Sequence, residues 1–206
     1  MYRKIKKLTE SEINQLFQLH ALSDQYDINN SLYQVYMSDK EWELKDTEDT
    51  SSYKEWNRVE LVPIPENDQA TVHNVIPKHI LDIETPNTMS FINTSGGDRI
   101  GVHIDRIRKT AVNIYLNVDG SETCFYEPVC KPSLLRLAKT GDGKDRPLKC
   151  FPDMKTVNKV ASFIPERGDV YILDVSTPHS VENISDQKLR TVITADILSK
   201  FSKFQE

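Results

Sequence analysis

Residues 110–117, Thr-Ala-Val-Asn-Ile-Tyr-Leu-Asn, constrain the rest of the chain. In an extended strand, successive side chains point to opposite faces. Val112, Ile114 and Leu116 then form one wholly apolar face, and Ala111, Asn113 and Tyr115 form the other. The apolar face must be covered by another layer. Asn113 and Tyr115 among small residues suit the lining of a barrel with a ligand inside. A core tyrosine with its hydroxyl satisfied would also fit position 115.

The strand just upstream carries the chemistry. In Gly101-Val102-His103-Ile104-Asp105, the side chains at 103 and 105 share a face while Ile104 packs the other way. One imidazole and one carboxylate can therefore converge on one metal. His179, in Ser176-Thr177-Pro178-His179-Ser180-Val181, supplies a second imidazole. Two His and one carboxylate make the facial set that holds non-haem iron(II) and leaves positions open for small ligands. A His-x-Asp triplet alone is a weak signal, and a surface hydrogen bond explains it equally well. Context strengthens it. Arg167-Gly168-Asp169 reads as a turn that launches the apolar run Val170–Leu173 towards His179. Beyond it, Arg190 opens the β-branched strand Arg190-Thr191-Val192-Ile193-Thr194-Ala195. A guanidinium entering an apolar strand is costly to bury without an anion. A dicarboxylate would supply one in a bidentate fork; an ordinary salt bridge at a strand end would also serve.

The order His-x-Asp, distal His, then Arg resembles the Fe(II)/2-oxoglutarate-dependent oxygenases, and within them the prolyl 4-hydroxylase-like branch. That branch follows its His-x-Asp with an Arg-bearing turn and a strand ending in Tyr-Leu-Asn, matched here by Arg108 to Asn117. Its Gly-Gly is replaced by Gly120-Ser121-Glu122. The resemblance covers about residues 88–198. It implies His103, Asp105 and His179 on iron as the metal and catalytic set. It implies Arg190 with Tyr115 as the 2-oxoglutarate-binding residues; Asn113, on the same face of the strand as Tyr115, joins them as a cofactor-binding candidate. The implied activity is hydroxylation of a substrate C–H bond with O2, releasing succinate and carbon dioxide. Two rivals stand beside it: a cupin-like metalloenzyme that does not use 2-oxoglutarate, and a non-catalytic jelly-roll binding protein. Amino acids, protein side chains, nucleobases and small metabolites all remain open as substrates, because fold analogy does not choose among them.

At 206 residues the chain suits one domain with a proper core. The expected division is an N-terminal support over 1–87, then a β-helix core over 88–198 with a basic insertion near 127–161. The fold expected is mainly β with flanking helices: a double-stranded β-helix of jelly-roll, cupin-like type. The net charge of −5 argues against general polyanion, and so nucleic-acid, binding. No apolar run is long enough for a membrane span, and basic residues 1–7 lead into no apolar segment of a signal peptide. Cys124, Cys130 and Cys150 lack metal or disulfide spacing and read as reduced thiols in a cytoplasm.

Around this core the reading is coarser. Thr9 and Glu12 form a capping box, with Leu8 and Ile13 as the staple, for a helix over 8–23 whose Ile13, Leu16, Phe17 and His20 share a face. Its place is outside the larger sheet. Residues 31–37 read as a short strand, and 39–60 as a solvated acidic loop with a candidate flap at 53–58. Residues 61–65 are extended by their prolines. Residues 72–83 read as a strand turning into a short helix, with His73 and His79 structural. Residues 88–93 form a strand and 95–98 a turn. The basic side chains of 131–159 are solvated, pair with the acidic stretch, or meet an anionic substrate.

Overall fold

The structure, a computed structural model, describes residues 1–23, 33–34, 59–86, 88–94, 99–105, 108–118, 120–137, 146–151, 153–185 and 188–205. In chain order, β1 (Tyr2–Lys7) leads into α1 (Glu10–Ser23), β2 (Tyr33–Gln34) and β3 (Val59–Pro63). Two short helices follow, α2 (Glu66–His73) and α3 (Lys78–Leu81). Next come β4 (Thr88–Thr94), β5 (Arg99–Ile104), β6 (Thr110–Asn117), β7 (Glu122–Pro128), β8 (Ser133–Leu137) and β9 (Arg146–Cys150). The chain ends with β10 (Val157–Phe163), β11 (Asp169–Asp174), β12 (His179–Glu182) and β13 (Arg190–Ile197).

These strands form two sheets, ordered β1-β11-β6-β13-β4-β3-β2 and β10-β7-β12-β5-β9-β8. Non-consecutive neighbours such as β11-β6-β13-β4 mark the crossovers between layers. This is the double-stranded β-helix expected from the sequence. β6 meets its two demands as its alternation requires. Val112, Ile114 and Leu116 join Val170, Ile172, Ile193 and Ile197 on the outer face of the larger sheet, packed with Ile13 and Leu16 of α1. Ala111 and Tyr115 turn inward, where Tyr171, Leu173 and Val192 of the same sheet meet Phe125 and Phe163 of the smaller one.

The helix cover is anchored as the sequence suggests. The Glu12 amide donates to Thr9 Oγ1 (3.3 Å), and the Thr9 amide donates back to the Glu12 carboxylate (2.8 Å). Gly168 joins this corner to β6 beneath it. Its φ of 83° lies in the left-handed region. A Cβ there would stand 2.7 Å from Ile13 Cδ1. Its amide donates to Tyr115 O (2.6 Å) and its carbonyl accepts from Leu8 N (2.8 Å).

The basic N-terminal run forms β1, which pairs antiparallel with β11. Lys4 and Lys7 reach buried Asp169 at 2.7 and 3.0 Å, so its charges are held by a core carboxylate. The strand expected at the start of 72–83 is absent. Pro65 and Pro77 instead sit at the N-caps of α2 and α3, where a missing amide costs nothing. Val72 and Ile80 enter the core from these helices. The basic stretch near 127–161 carries β8, β9 and β10 of the smaller sheet. Within it, Lys159 pairs with Glu122 at 2.7 Å. The flap at 53–58 and the turn at 95–98 lie outside the described residues, as does the 31–37 strand except for β2. No described helix is long and apolar enough to cross a membrane.

Candidate metal centre

β12 pairs with β5 so that His179 stands directly opposite His103. Asp105 follows β5, its amide bonded to Val175 O (3.1 Å), which keeps the backbone extended past the strand end. The three side chains offer ligand atoms within 4.8 Å of one another, the one such trio of His, Cys, Asp or Glu among the described residues. His103 Nε2 lies 3.5 Å from Asp105 Oδ1, and His179 Nε2 lies 4.0 Å from Asp105 Oδ2.

Both imidazoles are held in the same way. His103 Nδ1 contacts Gly101 O at 2.8 Å, and His179 Nδ1 contacts Thr177 O at 2.9 Å. A carbonyl only accepts, so each Nδ1 carries the proton and each Nε2 presents its lone pair to the shared space. Such outer bonds orient metal-binding histidines and raise their basicity. Burial, with repulsion from His103, lowers the His179 pKa to about 4. It is therefore neutral near pH 7, the state a metal requires. Burial alone would raise the Asp105 pKa, but the Arg108 guanidinium and the two imidazoles outweigh it and hold the carboxyl well below its usual range. The donor set is two imidazole nitrogens and one carboxylate, which fits a divalent first-row metal.

Arg190, Tyr115 and Asn113 lie on neighbouring strands of the larger sheet. Val192 of β13 pairs with Tyr115 of β6, and Thr194 pairs with Asn113. Arg190 is buried at 3% exposure. Its guanidinium carbon stands 5.4 Å from the centroid of the Tyr115 ring. The Tyr115 hydroxyl lies 3.4 Å from Thr123 Oγ1. Phe125, in the same inner cluster as Tyr115, lies 6.2 Å from the His179 ring, so the aromatic layer runs from the guanidinium to the metal trio.

Two side chains that bear on the site were not assigned roles from the sequence. Thr94 is the cross-strand partner of Arg190. Thr94 Oγ1 and Asn113 Oδ1 are both buried without a hydrogen-bond partner in this structure. Such atoms cost free energy unless something polar meets them, so the interior beside Arg190 fits a polar ligand. The second is Arg108, which bonds Asp105. Its place three residues after Asp105 was the available signal. His20, by contrast, is a packed histidine: its Nε2 meets Asn93 Oδ1 at 3.1 Å and its ring sits edge-on to Phe91.

The fold and the trio together define a double-stranded β-helix with a candidate metal site of two His and one carboxylate. No family model matches the sequence, and no curated protein matches it in sequence. Solved structures share the fold. The epimerase SnoN, in complex with Fe3+, α-ketoglutarate and nogalamycin RO, aligns at a TM-score of 0.58 and 13% identity, over 94% of this chain and 77% of SnoN. HygX from Streptomyces hygroscopicus, with nickel and 2-oxoglutarate bound, aligns at 0.49 and 9% identity, over 97% of this chain and 84% of its own. Vicilin from hazelnut, Corylus avellana, aligns at 0.37 and 14% identity over 68% of this chain, which spans 28% of the vicilin. At these identities the likeness is one of fold.

Proposed function

We propose that the chain is an Fe(II)- and 2-oxoglutarate-dependent oxygenase that hydroxylates a substrate C–H bond. The observation that carries this is the buried trio of His103, Asp105 and His179, with both Nε2 atoms aimed at one space and Asp105 ionised beside them. Assignment to the prolyl 4-hydroxylase-like branch rests on the motif over residues 103–117 alone. SnoN, which carries iron and α-ketoglutarate on this fold, supports the wider reading.

In this reading His103, Asp105 and His179 hold the metal. Arg190 offers a fixed cationic fork to the distal carboxylate of 2-oxoglutarate, braced by the Tyr115 ring. Thr94, whose buried hydroxyl lacks a partner, can donate to the same carboxylate, and Asn113 lines the space beside it. Tyr171, Leu173, Phe125 and Phe163 wall the interior with apolar surface and keep bulk water from the reacting centre. Iron and 2-oxoglutarate bound there would supply, with O2 as the oxidant, oxidative decarboxylation to succinate and carbon dioxide coupled to hydroxylation of the C–H bond. The remaining work of the protein is to position these groups and limit side reactions.

The test is anaerobic titration with Fe(II) and then 2-oxoglutarate. The expected result is the visible charge-transfer band of a chelated keto acid. On admitting air, succinate should form with substrate, or more slowly without it. Metal binding with no response to 2-oxoglutarate would favour the cupin-like enzyme instead.

A further inference from the structure

Arg108 is tied down on both sides of the barrel. Its Nε donates to Asp105 Oδ2. Its Nη1 donates to Thr194 Oγ1 (2.6 Å) and Asp196 Oδ1 (2.8 Å), both on β13 of the opposite sheet. Asp196 is held in turn, because its Oδ2 accepts from Thr88 Oγ1 at 2.8 Å. A guanidinium is a planar fork of fixed geometry. It cannot leave Oδ2 without straining or breaking its bonds to β13.

Both oxygens of Asp105 lie near the metal trio. Oδ1 is 3.5 Å from His103 Nε2, and Oδ2 is 4.0 Å from His179 Nε2. A carboxylate can bind a cation through one oxygen or through both. A three-ligand site does its work through the positions it leaves open. If Oδ2 also bound the metal, one of those positions would be lost.

We propose that Arg108 is a positioning residue that holds Asp105 to a single metal bond through Oδ1, keeping a position at the metal open for a small ligand. This rests on the reading of His103, Asp105 and His179 as metal ligands. Arg108 sets the number of bonds that Asp105 makes, and need not touch the metal, the co-substrate or the substrate.

The experiment uses Co(II), whose visible absorption reports its coordination, and 2-oxoglutarate followed by calorimetry on the Co(II)-loaded chain. Arg108→Met should retain Co(II) but change its absorption envelope. It should bind 2-oxoglutarate roughly ten- to a hundredfold more weakly, the range seen when an outer partner of a metal ligand is removed. Arg108→Lys keeps a cationic donor for Oδ2 and should recover most of both properties. Removing Arg108 also takes the ion pair from half-buried Asp196, so the double variant Arg108→Met/Asp196→Asn is measured too, and should repeat the phenotype in a folded chain. An unchanged spectrum with unchanged 2-oxoglutarate affinity in these variants overturns the proposal. So does outright loss of Co(II) from the folded double variant, since Arg108 would then maintain the site rather than limit one ligand. If the unsubstituted chain itself fails to bind Co(II), the metal centre falls, and this proposal with it.

Discussion

His103 and His179 stand side by side across β5 and β12, with ring centroids 4.2 Å apart, and each Nδ1 is bonded to the carbonyl two residues upstream. The pair therefore turns two Nε2 lone pairs into one space without help from other side chains. His103→Ala or His179→Ala should leave the fold intact by circular dichroism and thermal melting. Each removes one of three ligands and should weaken Fe(II) binding by more than about a hundredfold, beyond the effect of losing an outer partner. Metal content after dialysis is the measurement, and a full complement of iron in either variant would refute the assignment.

Asp169 ties β1 to the sheet through Lys4 and Lys7, and it accepts from the Glu166 amide at 3.1 Å. Burial works against its ionisation, but the Lys4 hydrogen bond, the Glu166 amide and Lys7 outweigh that and hold its pKa below the ordinary carboxylate value. A depressed folded pKa contributes stability that is fully present above the unfolded value near 4 and is lost as pH falls through the folded value. Asp169→Asn should thus cost roughly 1–3 kcal/mol at pH 7. Its deficit should shrink as pH falls from about 4, where the unfolded chain protonates, towards the lower folded value. Urea unfolding midpoints at pH 7 and pH 3 check this, and a deficit equal at both would show that the charge is not responsible.

Much of this architecture was legible because local pattern and tertiary demand coincide. The alternation at 110–117 gave both faces of β6, and the capping box gave α1. His103 and Asp105 were visible as a pair because strand periodicity alone puts them on one face. β1 was hidden, since its alternation is masked by lysines whose partner, Asp169, lies far along the sequence. α2 was missed because its polar sequence, Glu-Asn-Asp-Gln-Ala-Thr-Val-His, buries only Val72 and so carries little periodic signal. The tether from Arg108 to Asp196 spans 88 residues, and no local pattern encodes such a contact. The unpartnered state of Thr94 Oγ1 likewise depends on the packing around it.

That atom separates binding from stability. Thr94→Val keeps the shape and deletes a buried hydroxyl that has no partner. The ligand-free chain should gain about 1 kcal/mol, or a melting temperature roughly 2–4 °C higher at this chain length. Affinity for 2-oxoglutarate should fall in the same variant, because the hydroxyl meets the ligand in the proposed complex. Thermal melts without ligand and calorimetric titration with it give the two numbers. A variant less stable and equally tight in binding would place Thr94 among ordinary structural residues.

Arg190 decides between a 2-oxoglutarate enzyme and a cupin-type metal site. It is buried over the Tyr115 face and lies beside Thr94, on the sheet opposite the metal-bearing strands. Its proposed partner is the distal carboxylate. Lys would keep the charge and lose the planar fork. Arg190→Lys should therefore raise the apparent constant for 2-oxoglutarate by roughly ten- to a hundredfold, one charge-assisted hydrogen bond being worth about 1.5–3 kcal/mol. Iron affinity should stay nearly unchanged, since Arg190 is not one of the three proposed metal ligands. Arg190→Met should bind 2-oxoglutarate more weakly still, leaving its carboxylate unpaired in an apolar interior. Tyr115→Phe should cost least, about 0.5–1.5 kcal/mol. It keeps the ring that supports the guanidinium, and its hydroxyl also lies near Thr123. A 2-oxoglutarate titration of each variant at saturating iron gives the order, which matters more than the sizes. If Arg190→Met binds the co-substrate like the parent, or loses iron as badly as His179→Ala, Arg190 does not anchor it, and the site is better read as a cupin-type metal centre that does not use 2-oxoglutarate.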